Sequence, residues 1–60
     1  MLTPSEVKTM RLLCAGKIYK EIATETGVSV NTVKKHLKNA YRKLSVPNRA
    51  NACIVFKQKY

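Results

Sequence analysis

Sixty residues carry twelve Lys and Arg against three acids, and the resulting formal net charge of +9 favours association with a polyanion. A chain this short builds one small core, so residues 1–60 are read as a single domain. No apolar run approaches the roughly 18 residues of a membrane span, no signal-peptide pattern opens the chain, and one His among three acids provides no catalytic constellation.

The first element starts at Leu2-Thr3-Pro4-Ser5-Glu6-Val7. Thr3 suits the cap, Pro4 the first helical position, and Glu6 completes a capping box. Leu2 and Val7 are spaced for a hydrophobic staple across it. This helix is expected over about 4–15, with Val7, Met10, Leu13 and Cys14 facing inward and Gly16 as its left-handed stop. A second helix over about 19–26 begins poorly, because Ile18 in the cap position cannot accept from the orphan amides. Glu21 offsets this partly through the helix dipole. Ile22 and Ala23 face inward, and Gly27 takes positive φ in the turn that follows.

Ser29 then caps a third helix, expected over about 30–44. At about 100° per residue, Asn31, Lys34, Lys35, Lys38 and Arg42 share one sector, while Val30, Val33, Leu37, Ala40, Tyr41 and Leu44 share the opposite one. No acid lies between Ser29 and Leu44. Pro47 disfavours helical geometry just before it, and Asn48 caps a fourth helix expected over about 48–58. Ala52, Cys53 and Phe56 make its inward stripe. Ala50, Ile54 and Val55 extend round a second side, a surplus of apolar surface that suggests a dimer contact. The fold class is all-α, a four-helix domain containing a helix-turn-helix.

Cys14 and Cys53 are far apart in sequence, with no CxxC and one His, so zinc ligation is not expected. Both are read as reduced core residues, small hydrophobes of a cytosolic protein, with a disulfide as the lesser alternative. A membrane surface is the weaker polyanion, since Trp is absent and the cations are spread over several helices.

A short helix, a Gly turn and a longer basic helix form a helix-turn-helix, whose second helix suits the DNA major groove. The whole chain resembles the LuxR-type (GerE-like) DNA-binding domain of bacterial transcription regulators. The matching text is Leu2-Thr3-Pro4 with Glu6, Lys20-Glu21-Ile22-Ala23, Thr32-Val33-Lys34 with His36-Leu37, then Lys43-Leu44, Asn48-Arg49 and Ala52. Departures are Ile18 for a Ser or Thr cap, Tyr19 for Asn, and Thr26 for a large apolar residue. The resemblance implies a third helix that reads the major groove and a fourth that forms a dimer contact.

It also implies base-edge contacts by Lys34, Lys35 and Lys38, and a backbone contact by Thr32. Phosphate contacts are further expected from Asn31 at the helix start, from Lys20 where the second helix crosses the backbone, and from Arg42 and Lys43. Glu6 and Arg49 match family positions and are expected to pair across the first and fourth helices. His36 projects sideways and is read as structural or backbone-contacting. The expected partners are double-stranded DNA and a second copy on it, with RNA polymerase a further candidate. No cofactor, metal or small-molecule ligand is expected in this domain, and the expected location is the bacterial cytoplasm, on the nucleoid when bound. The competing functions are a promoter-binding region like region four of sigma factors, and a basic module that binds an acidic protein.

Overall fold

The computed structural model describes residues 1–60. It contains α1 (Pro4–Cys14), α2 (Tyr19–Thr26), α3 (Val30–Leu44) and α4 (Arg49–Lys59), and no strand. The expected boundaries hold to within a residue. At α1 the end moves back because Ala15 is the cap. At α4 the start moves on because Asn48 is itself the cap.

Each start shows the hydrogen bonds that its residues can make. At α1 the Glu6 amide donates to Thr3 Oγ1 at 3.2 Å and the Thr3 amide to Glu6 Oε1 at 3.0 Å, a complete capping box. At α2 only the returning half exists: the Ile18 amide donates to Glu21 Oε1 at 3.1 Å. Glu21 therefore acts through a direct bond as well as through the dipole. Ser29 Oγ accepts from the Thr32 amide at 3.1 Å, and Asn48 Oδ1 from the Asn51 amide at 3.0 Å.

The ends are equally well specified. After α1, the Lys17 amide bonds the Leu12 carbonyl at 3.1 Å and the Gly16 amide bonds Leu13 at 3.0 Å, a Schellman arrangement with Gly16 at φ +95°. Gly27 ends α2 at φ +72°, and an added Cβ there would meet nothing within 4 Å. The turn needs glycine for its backbone angle rather than for space. A third left-handed stop falls on Ser45, at φ 57° and ψ 45°, with the Val46 amide on the Tyr41 carbonyl at 3.0 Å. The helix ends at Leu44 as expected, and the stop is made by Ser45 ahead of Pro47. An L-residue pays a steric cost in that region, so Ser45→Gly should raise stability by about 0.5–1 kcal/mol, read from urea midpoints.

The core gathers Leu2, Met10, Leu13, Ile22, Ala23, Val33, Leu37, Ala40, Ala52 and Phe56. Met10, Ile22, Val33, Ala40 and Ala52 are wholly excluded from solvent. Val33, Leu37 and Ala40 come from the apolar sector of α3, with Val30, Tyr41 and Leu44 half-buried around them. Ala23, 7% exposed, gives α2 a small side chain where it crosses α3. On α1, Val7 and Cys14 are only half-buried, and Glu6 and Thr9 are buried instead. Thr9 tolerates this because its hydroxyl donates to the Ser5 carbonyl at 2.8 Å, one turn back. Phe56 carries Tyr60 stacked on it, ring centroids 5.0 Å apart.

Two expectations are corrected. Cys14 and Cys53 are joined in a disulfide, with Cα atoms 5.6 Å apart, a separation normal for a bridge. The inward stripes of α1 and α4 face each other, which brings the two cysteines together despite 39 residues between them. The inference to a cytosolic location from reduced thiols therefore lapses. The expected Glu6–Arg49 pair is also not formed: Glu6 Oε1 binds Lys43 Nζ at 2.8 Å.

Candidate nucleic-acid interface

The apolar half of α3 is fixed in the core by Val33, Leu37 and Ala40, so the orientation of its other half is determined. Asn31, Lys34, Lys35, Lys38 and Arg42 all lie exposed on it. Lys34, Lys35 and Lys38 have no side-chain hydrogen bond or ion pair within the chain. The two ion pairs present are Lys17–Glu25 at 3.9 Å and Lys43–Glu6 at 2.8 Å. Arg42 donates to Asn39 Oδ1 at 3.2 Å, which steadies it along its own helix. Three unpaired ammonium groups thus project from one rigid face, in the form that base edges and phosphates accept.

The remaining expected contact residues differ among themselves. Thr32 is half-buried and its hydroxyl lies 3.0 Å from Ser29 Oγ, so it is engaged in the cap of α3. Asn31, beside it, is exposed and free of side-chain bonds. Lys20 is exposed in the first turn of α2 and shares a shallow cleft with Lys17, Glu21, Thr24 and Glu25. Ala50 and Ile54 on α4 face solvent, Ile54 at 58% exposure, while Val55 is half-buried. His36 projects sideways as expected, half-buried in a cleft with Ser5, Lys8, Thr9, Thr26 and Val28.

Lys43, expected beside Arg42 at a phosphate, is paired with Glu6 instead, a positioning role that sequence reasoning missed. Lys43 occupies the last turn of α3, yet its ammonium reaches back to the buried carboxylate that caps α1. This contact ties the far end of the basic helix to the start of the first. At about 180° from Lys34 around α3, Lys43 lies well outside the basic sector, and that angle was the available signal. Arg49, freed from Glu6, has its charge near Tyr41. Burial pushes the Tyr41 phenol above its ordinary value of 10.0, Tyr19 adds to the rise, and Arg49 opposes it.

Burial likewise pushes the Glu6 carboxyl upward, but Lys43 and the Thr3 amide and hydroxyl outweigh it and hold the group below its ordinary 4.5. A carboxyl depressed in the folded state stabilises fully above its unfolded pKa and loses that contribution as pH falls through the folded one. Thermal midpoints should therefore drop as pH falls from about 5 towards 3. In Glu6→Gln that drop should be shallower.

A helix-turn-helix with an unpaired basic face on its second helix is the architecture of a DNA-binding domain. The chain matches the family model described as "Bacterial regulatory proteins, luxR family" over residues 1–56. It belongs to that family, and membership implies DNA binding in transcription regulation. It is 41% identical over 54 residues to the spore germination protein GerE of Bacillus subtilis, covering 90% of this chain and 73% of GerE. It is 40% identical over 52 residues to the transcriptional activator protein CarR of Pectobacterium carotovorum, covering 87% of the chain and 21% of CarR. With the nitrate/nitrite response regulator protein NarP of Escherichia coli it shares 39% over 59 residues, 98% of the chain and 27% of NarP. The chain thus spans about a quarter of the length of relatives such as CarR and NarP. No solved structure matches it significantly. No helix is long and apolar enough to cross a membrane.

Proposed function

We propose that residues 1–60 act as one sequence-specific module for duplex DNA, the output part of a bacterial transcription regulator, with α3 in the major groove. The observation that carries this reading is the row of exposed, unpaired Lys34, Lys35 and Lys38 on a helix whose opposite side is locked in the core. These three lysines read base edges, where guanine O6 and N7 accept from cations. Asn31, Lys20 and Arg42 hold phosphates. Thr32 does so while capping α3 with Ser29, through the capacity its hydroxyl retains beyond that contact.

Two copies meet through Ala50, Ile54 and Val55 of α4 and occupy paired half-sites. The exposure of Ile54 supports this, since it is a large aliphatic side chain left on the outside of the domain. RNA polymerase is the candidate second partner, met on the same duplex. The bacterial cytoplasm is the location, because that is where such a duplex lies.

Selection from a random duplex pool tests the reading. The enriched sequences should carry two inverted copies of one short motif, centred about one helical turn, roughly 10 bp, apart. A single asymmetric site would overturn the dimer, and equal weak retention of all sequences would overturn specific recognition.

A further inference from the structure

The Cys14–Cys53 bridge joins the last residue of α1 to the middle of α4. Apart from it, α4 is lightly held. Ala52 and Phe56 are its buried residues, and the one side-chain hydrogen bond from its end to the rest of the fold is a long one, Tyr60 Oη accepting from the Leu2 amide at 3.5 Å. By contrast, α3 is fixed to α1 through the core and through Lys43–Glu6. Both cysteines are half-buried, not enclosed in the core. Exposed cations lie about one helical turn along the chain from each cysteine: Arg11 before Cys14, and Arg49 and Lys57 on either side of Cys53. Electropositive, partly exposed surroundings are those in which thiols and disulfides exchange.

We propose that this bridge is a reversible thiol–disulfide switch on α4. Closed, it clamps α4 and its Ala50, Ile54 and Val55 face in the position that pairs two copies. Open, it leaves the helix-turn-helix folded and lets α4 loosen. The opening reagent is a dithiol. Its thiolate attacks one sulfur of the bridge, forming a mixed disulfide and releasing the other cysteine as thiolate. Its second thiol then displaces the remaining cysteine. Two electrons and two protons pass to Cys14 and Cys53, and the reagent leaves as a disulfide. Loss of paired binding rests on the dimer reading above; the loosening of α4 does not.

The test compares the oxidised chain, the chain in dithiothreitol, and the Cys14→Ser/Cys53→Ser double variant. Amide hydrogen exchange in the second and third should lose more protection over Ala52–Phe56 than Val33–Ala40 loses through the general fall in stability. Affinity for the pool-enriched duplex should fall about tenfold on reduction, within the range ordinary for coupled sites. It should recover on reoxidation and be insensitive to redox state in the double variant. Affinity for the same duplex with one half-site scrambled should hardly change. Unchanged exchange in α4 would overturn the switch, and so would equal loss across all four helices, which would make the bridge a simple staple. Localised exchange loss together with single-site enrichment would sustain the switch and overturn the dimer instead.

Discussion

Reduction of Cys14–Cys53 should lower the global stability of this chain by about 3–4 kcal/mol. The bridge closes a loop of 39 residues, and removing such a constraint returns conformational freedom chiefly to the unfolded chain. The loss is a large share of what a domain of this size possesses, at roughly 0.05–0.15 kcal/mol per residue. Each kcal/mol moves the melting temperature of so small a domain by roughly 4–8 °C, so the reduced chain should melt some tens of degrees lower at most and about 12 °C lower at least. Calorimetry with and without dithiothreitol reads this directly. Cys14→Ser/Cys53→Ser should match the reduced chain, and a variant as stable as the oxidised protein would show that no bridge constrains it.

The second large effect concerns the lysines of α3. Replacing Lys34, Lys35 and Lys38 together with Ala should weaken specific DNA binding by about a hundredfold or more, since each good base contact contributes about 1–3 kcal/mol. Stability should stay within about 0.5 kcal/mol, because surface changes away from any partner have little effect on folding. All three side chains are exposed, and none has a partner within the chain. Single substitutions then divide the set. Lys38→Ala should relax discrimination at one or two base pairs if Lys38 reads a base edge. Equal weakening on every sequence, with the slope of log K against log salt shallower by about 0.9, would assign it to phosphate.

Helix ends were legible in the chain because caps are local chemistry. Thr3 and Glu6, Ser29 and Thr32, and Asn48 and Asn51 stand three residues apart, so the spacing alone forecasts the bond. The basic and apolar faces of α3 were legible for the same reason, since both lie within one continuous helix. Partner choice across the fold was not. Glu6 meets Lys43 rather than Arg49 because the end of α3 lies over the start of α1, and helix crossing decides that. The cysteine bridge was hidden in the same way: each cysteine's inward face could be read, but not the fact that the two faces oppose each other. Thr32 shows a limit of another kind. Its hydroxyl serves a local cap in the free chain, and a local bond and a phosphate contact draw on the same oxygen.

The three carboxylates have one more consequence. Glu6 is occupied by Lys43 and the Thr3 amide, Glu21 by the Ile18 amide, and Glu25 by Lys17. Two of the three are paired with lysines, and all three are outnumbered by twelve cations. A duplex therefore attracts this molecule from almost any approach, before the right helix is turned towards it. On the reading proposed above, arrival on DNA is fast and indiscriminate, and the choice of site follows by sliding and hopping along the backbone. On that reading, residence on irrelevant sequence is part of how the module finds the relevant one.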